Sequence, residues 1–316
     1  MVISEQEISQ PGIIYQRKLT ESSRLFTINH LILNTTRHFN SYGIQISHFD
    51  DLQSFSTVNL HTSQIRDLCS DGNTFITASL DQSVSFSSLE TESKIADFHF
   101  DVPLWSCTQL NDTLIACGGD RGWVYGIDTR SGTRFFERQI VGPPINSMST
   151  CDNTLLFLSA HSINFYDFIK GDFIEVHTNI DGGFSLRKTE DSELFSLIQR
   201  QGNNAAMFYC RFERQSVFKM FKMVPMKYFS QIPGTAMRSI DGNVYAAVPN
   251  EQSCDISLYT LSQQNNNIWE KWKERWDYEK NNKPILDVAI DAEDSMTVST
   301  LSCDRLTVYQ IPIKFV

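Results

Sequence analysis

A histidine, a serine and an aspartate at His61, Ser79 and Asp81 are the residue types of a base, a nucleophile and a group that orients the base. Acyl transfer is the chemistry they would perform, but the surrounding sequence argues against it. No G-x-S-x-G elbow accompanies them, and no P-loop, Rossmann glycine fingerprint or H-E-x-x-H occurs in the 316 residues. The other histidines (His30, His38, His48, His99, His161, His177) show no close metal-binding pairing. Seven cysteines lie far apart without a C-x-x-C, which reads as buried small hydrophobes in a reducing compartment rather than a disulfide framework. Paired carboxylates such as Asp50-Asp51 fall in turns, where they serve the backbone. No metal, cofactor or small-molecule site is expected. An enzyme with its site in a central channel is the lesser alternative, because the sequence shows no convergent polar constellation.

The elements between these residues give them a structural role instead. After His61 comes a strand at Ile65 to Leu68, a φ-positive turn at Asp71-Gly72-Asn73, and a return strand at Thr74 to Ala78. A second turn at Asp81-Gln82 leads to strands at Val84 to Ser88 and Ser93 to Phe98. This is one four-stranded propeller blade, and the order of His, Ile-x-x-Leu strand and Ser-x-Asp corner is that of a WD repeat. His61 is expected to reach Ser79 while Asp81 fixes the corner, a buried relay that ties the strands together. Phe86 is read at the place of the repeat's Trp, where it lacks the indole N–H.

The same first turn recurs at Gly72, Asp112, Asp152 and Ser192, a spacing of 40 residues. It continues more loosely at Asp241-Gly242-Asn243 and Glu293-Asp294, so the fifth and sixth repeats carry insertions. The expected fold is an all-β, seven-bladed WD-repeat β-propeller, with six blades as the alternative. Alternation at Ile13 to Lys18 supplies an N-terminal strand to close the last blade. Residues 1–316 read as a single propeller domain, with 1–10 as a flexible N-terminal segment. Twenty-two Phe and 41% hydrophobic residues suit an aromatic-packed core. The net charge of -10 argues against direct nucleic-acid binding and an anionic membrane surface, and no apolar run reaches the ~18 residues of a span. A soluble intracellular chain is expected.

Regular blades spend their residues on stacking, so the insertions are where a partner is sought. The fifth repeat interleaves Arg211, Arg214, Lys219, Lys222 and Lys227 with aromatics. That pattern fits an acidic-peptide or nucleic-acid surface, but the favoured reading is a pair of edge strands with cations turned to solvent. In the sixth repeat Trp269, Trp272 and Trp276 lie at i, i+3 and i+7, the spacing of one helix face. The blade needs an outer strand there, which favours a strand from Lys271 to Tyr278. The three indoles are partner anchors if exposed and core if buried between blades.

Several segments resemble one family, the C-terminal WD-repeat domain of the RING-finger and WD-repeat ubiquitin ligase of the replication-stress response. They are Ile65 to Leu68 (IRDL), Thr77 to Asp81 on through Thr91, Pro103 to Cys107 (PLWSC), Pro284 to Val288 (PILDV), Ser299 to Leu301 and Thr307 to Tyr309. The resemblance covers about half the chain. It implies a nuclear, non-catalytic module that recruits protein substrates, notably replication protein A, or ubiquitin-pathway components, with a cytoplasmic location as the alternative. No RING is present in this sequence, so the ligase activity would come from elsewhere. Gly182-Gly183 followed by Phe184 and Ser185 looks like the family's Gly-Gly turn into its fifth blade, a region associated with replication protein A contact. A tight φ-positive turn explains the same glycines. The alternative among binding proteins is a scaffold subunit of an unrelated complex, for example one that modifies RNA.

Overall fold

The chain reverses at turns whose residues suit them. Gly72 has φ +109°, and Gln82 (+71°), Arg121 (+55°) and Asp152 (+49°) occupy the left-handed region at other hairpins. Asn111 Oδ1 accepts the N–H groups of Thr113 and Leu114 at 3.0 and 2.9 Å, an Asx turn at the corresponding point. The computed structural model describes residues 12–19, 24–28, 30–70, 72–140, 142–160, 162–176, 183–188, 194–201, 204–213, 217–226, 235–240, 243–250, 255–262, 269–271, 285–292, 296–302 and 305–311. Among them there is no α-helix, and the strands form seven four-stranded antiparallel sheets.

After β1 (Gly12–Lys18), the first sheet is Leu25–Ile28, Leu31–His38, Ser41–His48 and Asp51–His61 (β2, β3, β4, β5). The second is Ile65–Ser70, Thr74–Ser79, Ser83–Ser88 and Ser93–His99 (β6, β7, β8, β9). The third is Leu104–Gln109, Leu114–Gly119, Trp123–Asp128 and Thr133–Gln139 (β10, β11, β12, β13), and the fourth is Ser147–Cys151, Thr154–Leu158, Ile163–Asp167 and Asp172–Val176 (β14, β15, β16, β17). The fifth is Gly183–Lys188, Leu194–Gln201, Asn204–Glu213 and Val217–Met226 (β18, β19, β20, β21). The sixth is Ala236–Ile240, Asn243–Asn250, Asp255–Ser262 and Trp269–Lys271 (β22, β23, β24, β25). The seventh is Ile285–Ala292, Met296–Ser302 and Arg305–Ile311 (β26, β27, β28), with β1 paired antiparallel on the outer side of β28.

Burial shows how the sheets sit. The middle strands β7 and β8 are buried on both faces, whereas the outer β9 and β13 are largely exposed. That is why FITAS and VSFSS carry no charged residue while TRFFERQ is charged. Each core cluster joins neighbouring sheets. Phe75 of β7 packs with Leu33, Ile44 and Leu60 of the first sheet, while Ile76, on the opposite face, packs with Leu104, Ile115 and Ile127 of the third. Further clusters join the third to the fourth, the fourth to the fifth, the sixth to the seventh and the seventh to the first. The first strands β2, β6, β10, β14, β18, β22 and β26 touch in succession, and β26 also touches β2. This architecture is consistent with a β-propeller.

Two local details fix the approach of the sheets. Gly118 has no room for a Cβ, which would meet the Ile145 side chain and Ser106 Oγ at 2.5 Å, so glycine lets the fourth sheet close on the third. Arg17 of β1 crosses into the first sheet, donating to the Leu52 carbonyl oxygen at 2.7 Å and to Asn34 Oδ1 at 2.9 Å. Its guanidinium also lies 4.6 Å from the Phe55 ring centroid.

The sixth sheet corrects one expectation. Its outer strand is β25, with Trp269 opposite Leu261 and Lys271 opposite Tyr259, rather than a strand begun at Lys271. An extended Trp269 also removes the first turn of the alternative helix. Residues 272–284 lie outside the described residues, and so do 1–11.

Candidate functional site

The first strand of each sheet is an edge strand, and its unpaired backbone groups need partners. Side chains supply them from sheet to sheet. Asp287 on β26 accepts the Leu25 N–H at 2.9 Å, and Arg24 Nε donates to the Arg66 carbonyl oxygen at 2.7 Å. Asp67 on β6 accepts the Cys107 N–H at 3.0 Å, Ser106 donates to the Ile145 carbonyl at 2.8 Å, and Ser147 to that of Leu186 at 3.0 Å. Arg238 and Asp291 form an ion pair at 3.3 Å between β22 and β26.

These strands enclose a cavity of about 420 Å3, lined by Leu68, Cys69, Cys107, Ser149, Arg187 and Ala289 among others. On its lining, Arg187 Nη2 lies 3.1 Å from Asp287 Oδ2. Burial opposes the Arg187 charge, but the carboxylates of Asp287 and then Asp67 overcome it and raise its pKa. Burial pushes the Asp67 carboxyl above the usual range, against the pull of Arg24, the Cys107 N–H and Arg187. The Cys107 thiol is pushed well up, first by burial and then by Cys69 beside it, so it is inert as a nucleophile at neutral pH. Cys69, Cys107, Cys117 and Cys151 are free thiols, and the described residues hold no metal-binding group of three or more His, Cys, Asp or Glu.

The His61 set is built differently from its sequence reading. His61 stands at the end of β5 in the first sheet, and its Nε2 lies 2.8 Å from the hydroxyl of Thr77, not of Ser79. Its Nδ1 is 3.1 Å from Asp81 Oδ2, so with the proton on Nδ1 the ring donates to Asp81 and accepts from Thr77. Strand parity explains the correction: Thr77 and Ser79 share a face, but Ser79 sits at the strand end, where its hydroxyl donates to the Ser63 carbonyl at 3.0 Å. Asp81 also accepts the Ser83 hydroxyl at 2.6 Å, the Ser83 N–H at 3.1 Å and the Thr62 N–H at 2.8 Å. Burial would raise its carboxyl, but His61, Ser83 and Thr62 together hold it far below the usual range.

Phe86 needs a second correction. It pairs with Ile76 while Ser85 pairs with Thr77, so Phe86 points away from the relay into the core shared with the third sheet. The face toward Thr77 carries Ser83, Ser85 and Ser87. The order Asp81–His61–Thr77 has the form of a catalytic triad, but Thr77 is fully buried and His61 is 3% exposed, sealed between the first and second sheets. The arrangement orders a corner and offers no route to a substrate.

Comparison with protein-family models and with curated proteins finds no match for this chain. The site must therefore be read from its own geometry. Among the described residues no helix is long and apolar enough to cross a membrane.

The expected partner residues are not gathered in one place. Gly183, Phe184 and Ser185 begin β18, the inner strand of the fifth sheet, whereas Arg211 lies on its third strand opposite Leu194 and Lys219, and Trp269 is on the outer strand of the sixth. Gly182, Arg214, Trp272 and Trp276 lie outside the described residues. Phe184 has a position of special interest. The register shifts between Gly183 and Ser185, which leaves Phe184 as the extra residue of a β-bulge. The same step occurs at Arg66 on β6, Trp105 on β10 and Leu286 on β26.

Sequence reasoning missed Arg24, Arg66, Trp105, Arg187 and the two aspartates Asp67 and Asp287. For Asp67 and Asp287 a signal was available, since both occupy the third position of an Ile-x-Asp-[Leu/Val] strand opening a repeat. Nothing local announces Arg187 as their partner.

Proposed function

We propose that the chain is a closed seven-bladed WD-repeat propeller whose work is protein recognition. In this reading it is a non-catalytic module that recruits partners or substrates for a ubiquitin ligase in the nuclear response to DNA replication stress, with replication protein A as the candidate partner. Closure is supported by the pairing of β1 with β28 and by core clusters that join the seventh sheet to both the sixth and the first.

The observation that carries the functional reading is positional. Three segments that resemble the ligase family, IRDL, PLWSC and PILDV, contribute to the inner strands β6, β10 and β26, and each strand carries a bulge at the same step. A bulge re-aims a side chain without disturbing the sheet behind it, which is how a rigid scaffold presents variable residues to a partner. Support for binding rather than catalysis comes from the polar groups of the corner and channel, whose hydrogen bonds are spent on the scaffold.

The test is capture from nuclear extract on the immobilised chain. Enrichment of replication protein A, another fork protein or a ubiquitin-pathway component is the expected result. Enrichment of none of these overturns the assignment to the ligase family, and stoichiometric recovery of an RNA-modifying complex would establish the scaffold role instead.

A further inference from the structure

Three bulge or entry residues of consecutive inner strands meet beside the cavity. Arg24 precedes β2, Arg66 is the bulge residue of β6 and Trp105 that of β10. The cavity lining starts just after them, at Leu25 and Asp67, one residue on, and at Cys107, two residues on. The Arg66 guanidinium lies 4.5 Å from the Trp105 ring centroid, so the two side chains form a stacked pair.

The chemistry of this group is incomplete. Burial, and then the Arg24 charge, depress the Arg66 pKa, with Asp67 a lesser opposing influence. Arg66 makes no ion pair among the described residues, and Asp67 spends its oxygens on the Cys107 and Leu68 N–H groups. Arg66 Nε and Trp105 Nε1 are buried donors without acceptors. Both arginines are half-buried rather than enclosed. Two cations held close together beside an aromatic face, with unused donors, are arranged for an anion that carries an apolar neighbour.

We propose that this group binds an acidic peptide segment of a protein partner, its carboxylate or phosphate forked between Arg24 and Arg66 and an adjoining apolar side chain resting on Trp105. A protein segment is favoured over nucleic acid by charge. The chain carries a net -10, which repels an extended polyanion, while two arginines on adjacent strands match one anionic group.

The proposal rests on the protein-recognition reading, and its test separates the two. Fluorescence anisotropy is measured with labelled peptides of alternating glutamate and leucine, with the central glutamate replaced by phosphoserine, and with every glutamate replaced by glutamine, alongside an oligothymidylate. The expected result is binding of one or both anionic peptides and not of the glutamine peptide, the tighter of the two identifying the anion. Arg66→Ala and Arg24→Ala should each weaken it about tenfold or more, Arg66→Lys less, and Arg130→Ala, an exposed arginine in a distant turn, not at all. Circular dichroism of Arg66→Lys controls for folding. Anionic peptides binding no better than the glutamine peptide, or equally to the Arg66 and Arg24 variants, overturn the site, and so does Arg66-dependent binding that is tighter for the oligonucleotide. A nuclear partner captured equally by wild type and Arg66→Ala refutes the site while leaving the recognition reading in place.

Discussion

Two half-buried carboxylates of the second sheet, Asp81 at its corner and Asp67 on its inner strand, respond to desolvation in opposite ways. Desolvation pushes both upward. At Asp81 the push is overcome by His61, by the Ser83 hydroxyl and by the Thr62 N–H, and the carboxyl falls far below the usual range. Asp67 has two backbone N–H groups and the more distant charges of Arg24 and Arg187, and it remains raised. The difference lies in ownership of donors. Asp81 holds its partners within one corner, whereas Arg187, one of the two guanidinium groups acting on Asp67, is committed to Asp287 at 3.1 Å. One carboxylate is therefore a fastening and the other a tolerated cost of bridging two inner strands.

The largest effect is expected where the channel pair itself is cut. Asp287→Ala removes the acceptor of the Leu25 N–H and leaves Arg187 without its contacting carboxylate. Breaking a buried pair on one side costs about 3–5 kcal/mol, so urea denaturation should show a loss of that order, with Asp287→Asn losing less because the amide oxygen still accepts from Leu25. A loss under ~1 kcal/mol would mean that solvent in the channel replaces the pair.

At the corner, Asp81→Ala should cost about 1–3 kcal/mol in a thermal or urea melt at neutral pH. The sign of its pH dependence follows from the depressed carboxyl. Its stabilisation is fully present above the ordinary carboxylate pKa of 3.8 and is lost as pH falls through the lower folded value. The gap between wild type and Asp81→Ala should therefore narrow on acidification below about pH 4. A gap that is flat or widens would remove the contrast with Asp67.

The sequence made the repeating parts of this molecule legible, and for a physical reason. Turns demand particular residues, so Gly72, Asp152 and the Asp81-Gln82 corner announced themselves. Strands between them showed their burial through composition, as in FITAS against TRFFERQ. What stayed hidden depended on a partner far along the chain or on a single step of register. Thr77 takes the place expected of Ser79 because the parity of β7 puts both hydroxyls on one face, and only the position of His61 at the end of β5 chooses between them. Arg187 of β18 and Asp287 of β26 meet although they lie 100 residues apart, a contact with no local pattern. The bulges at Arg66, Trp105 and Phe184 are read from hydrogen-bond register, which composition does not encode.

The smallest effect should come from Asp67→Asn, and it sharpens the comparison most. Asparagine keeps an oxygen to accept the Cys107 N–H, gives up the local acceptor of the Leu68 N–H and removes a charge that burial disfavours, while Arg187 retains Asp287. Stability at neutral pH should stay within about 1 kcal/mol of wild type, on the side of a gain if desolvation dominates. Because the folded carboxyl of Asp67 lies above its unfolded value, the folded state holds the proton more firmly in the window between them. The Asp67 term in wild type therefore favours folding more as pH falls from neutral toward that window, and the asparagine variant lacks the term. The difference between the two proteins in urea midpoints, followed from pH 7 down to about pH 4, should move in favour of wild type. A loss at neutral pH as large as that of Asp81→Ala would show that the Asp67 carboxylate fastens the second sheet to the third as Asp81 fastens its corner, and the two sites would then work by one rule.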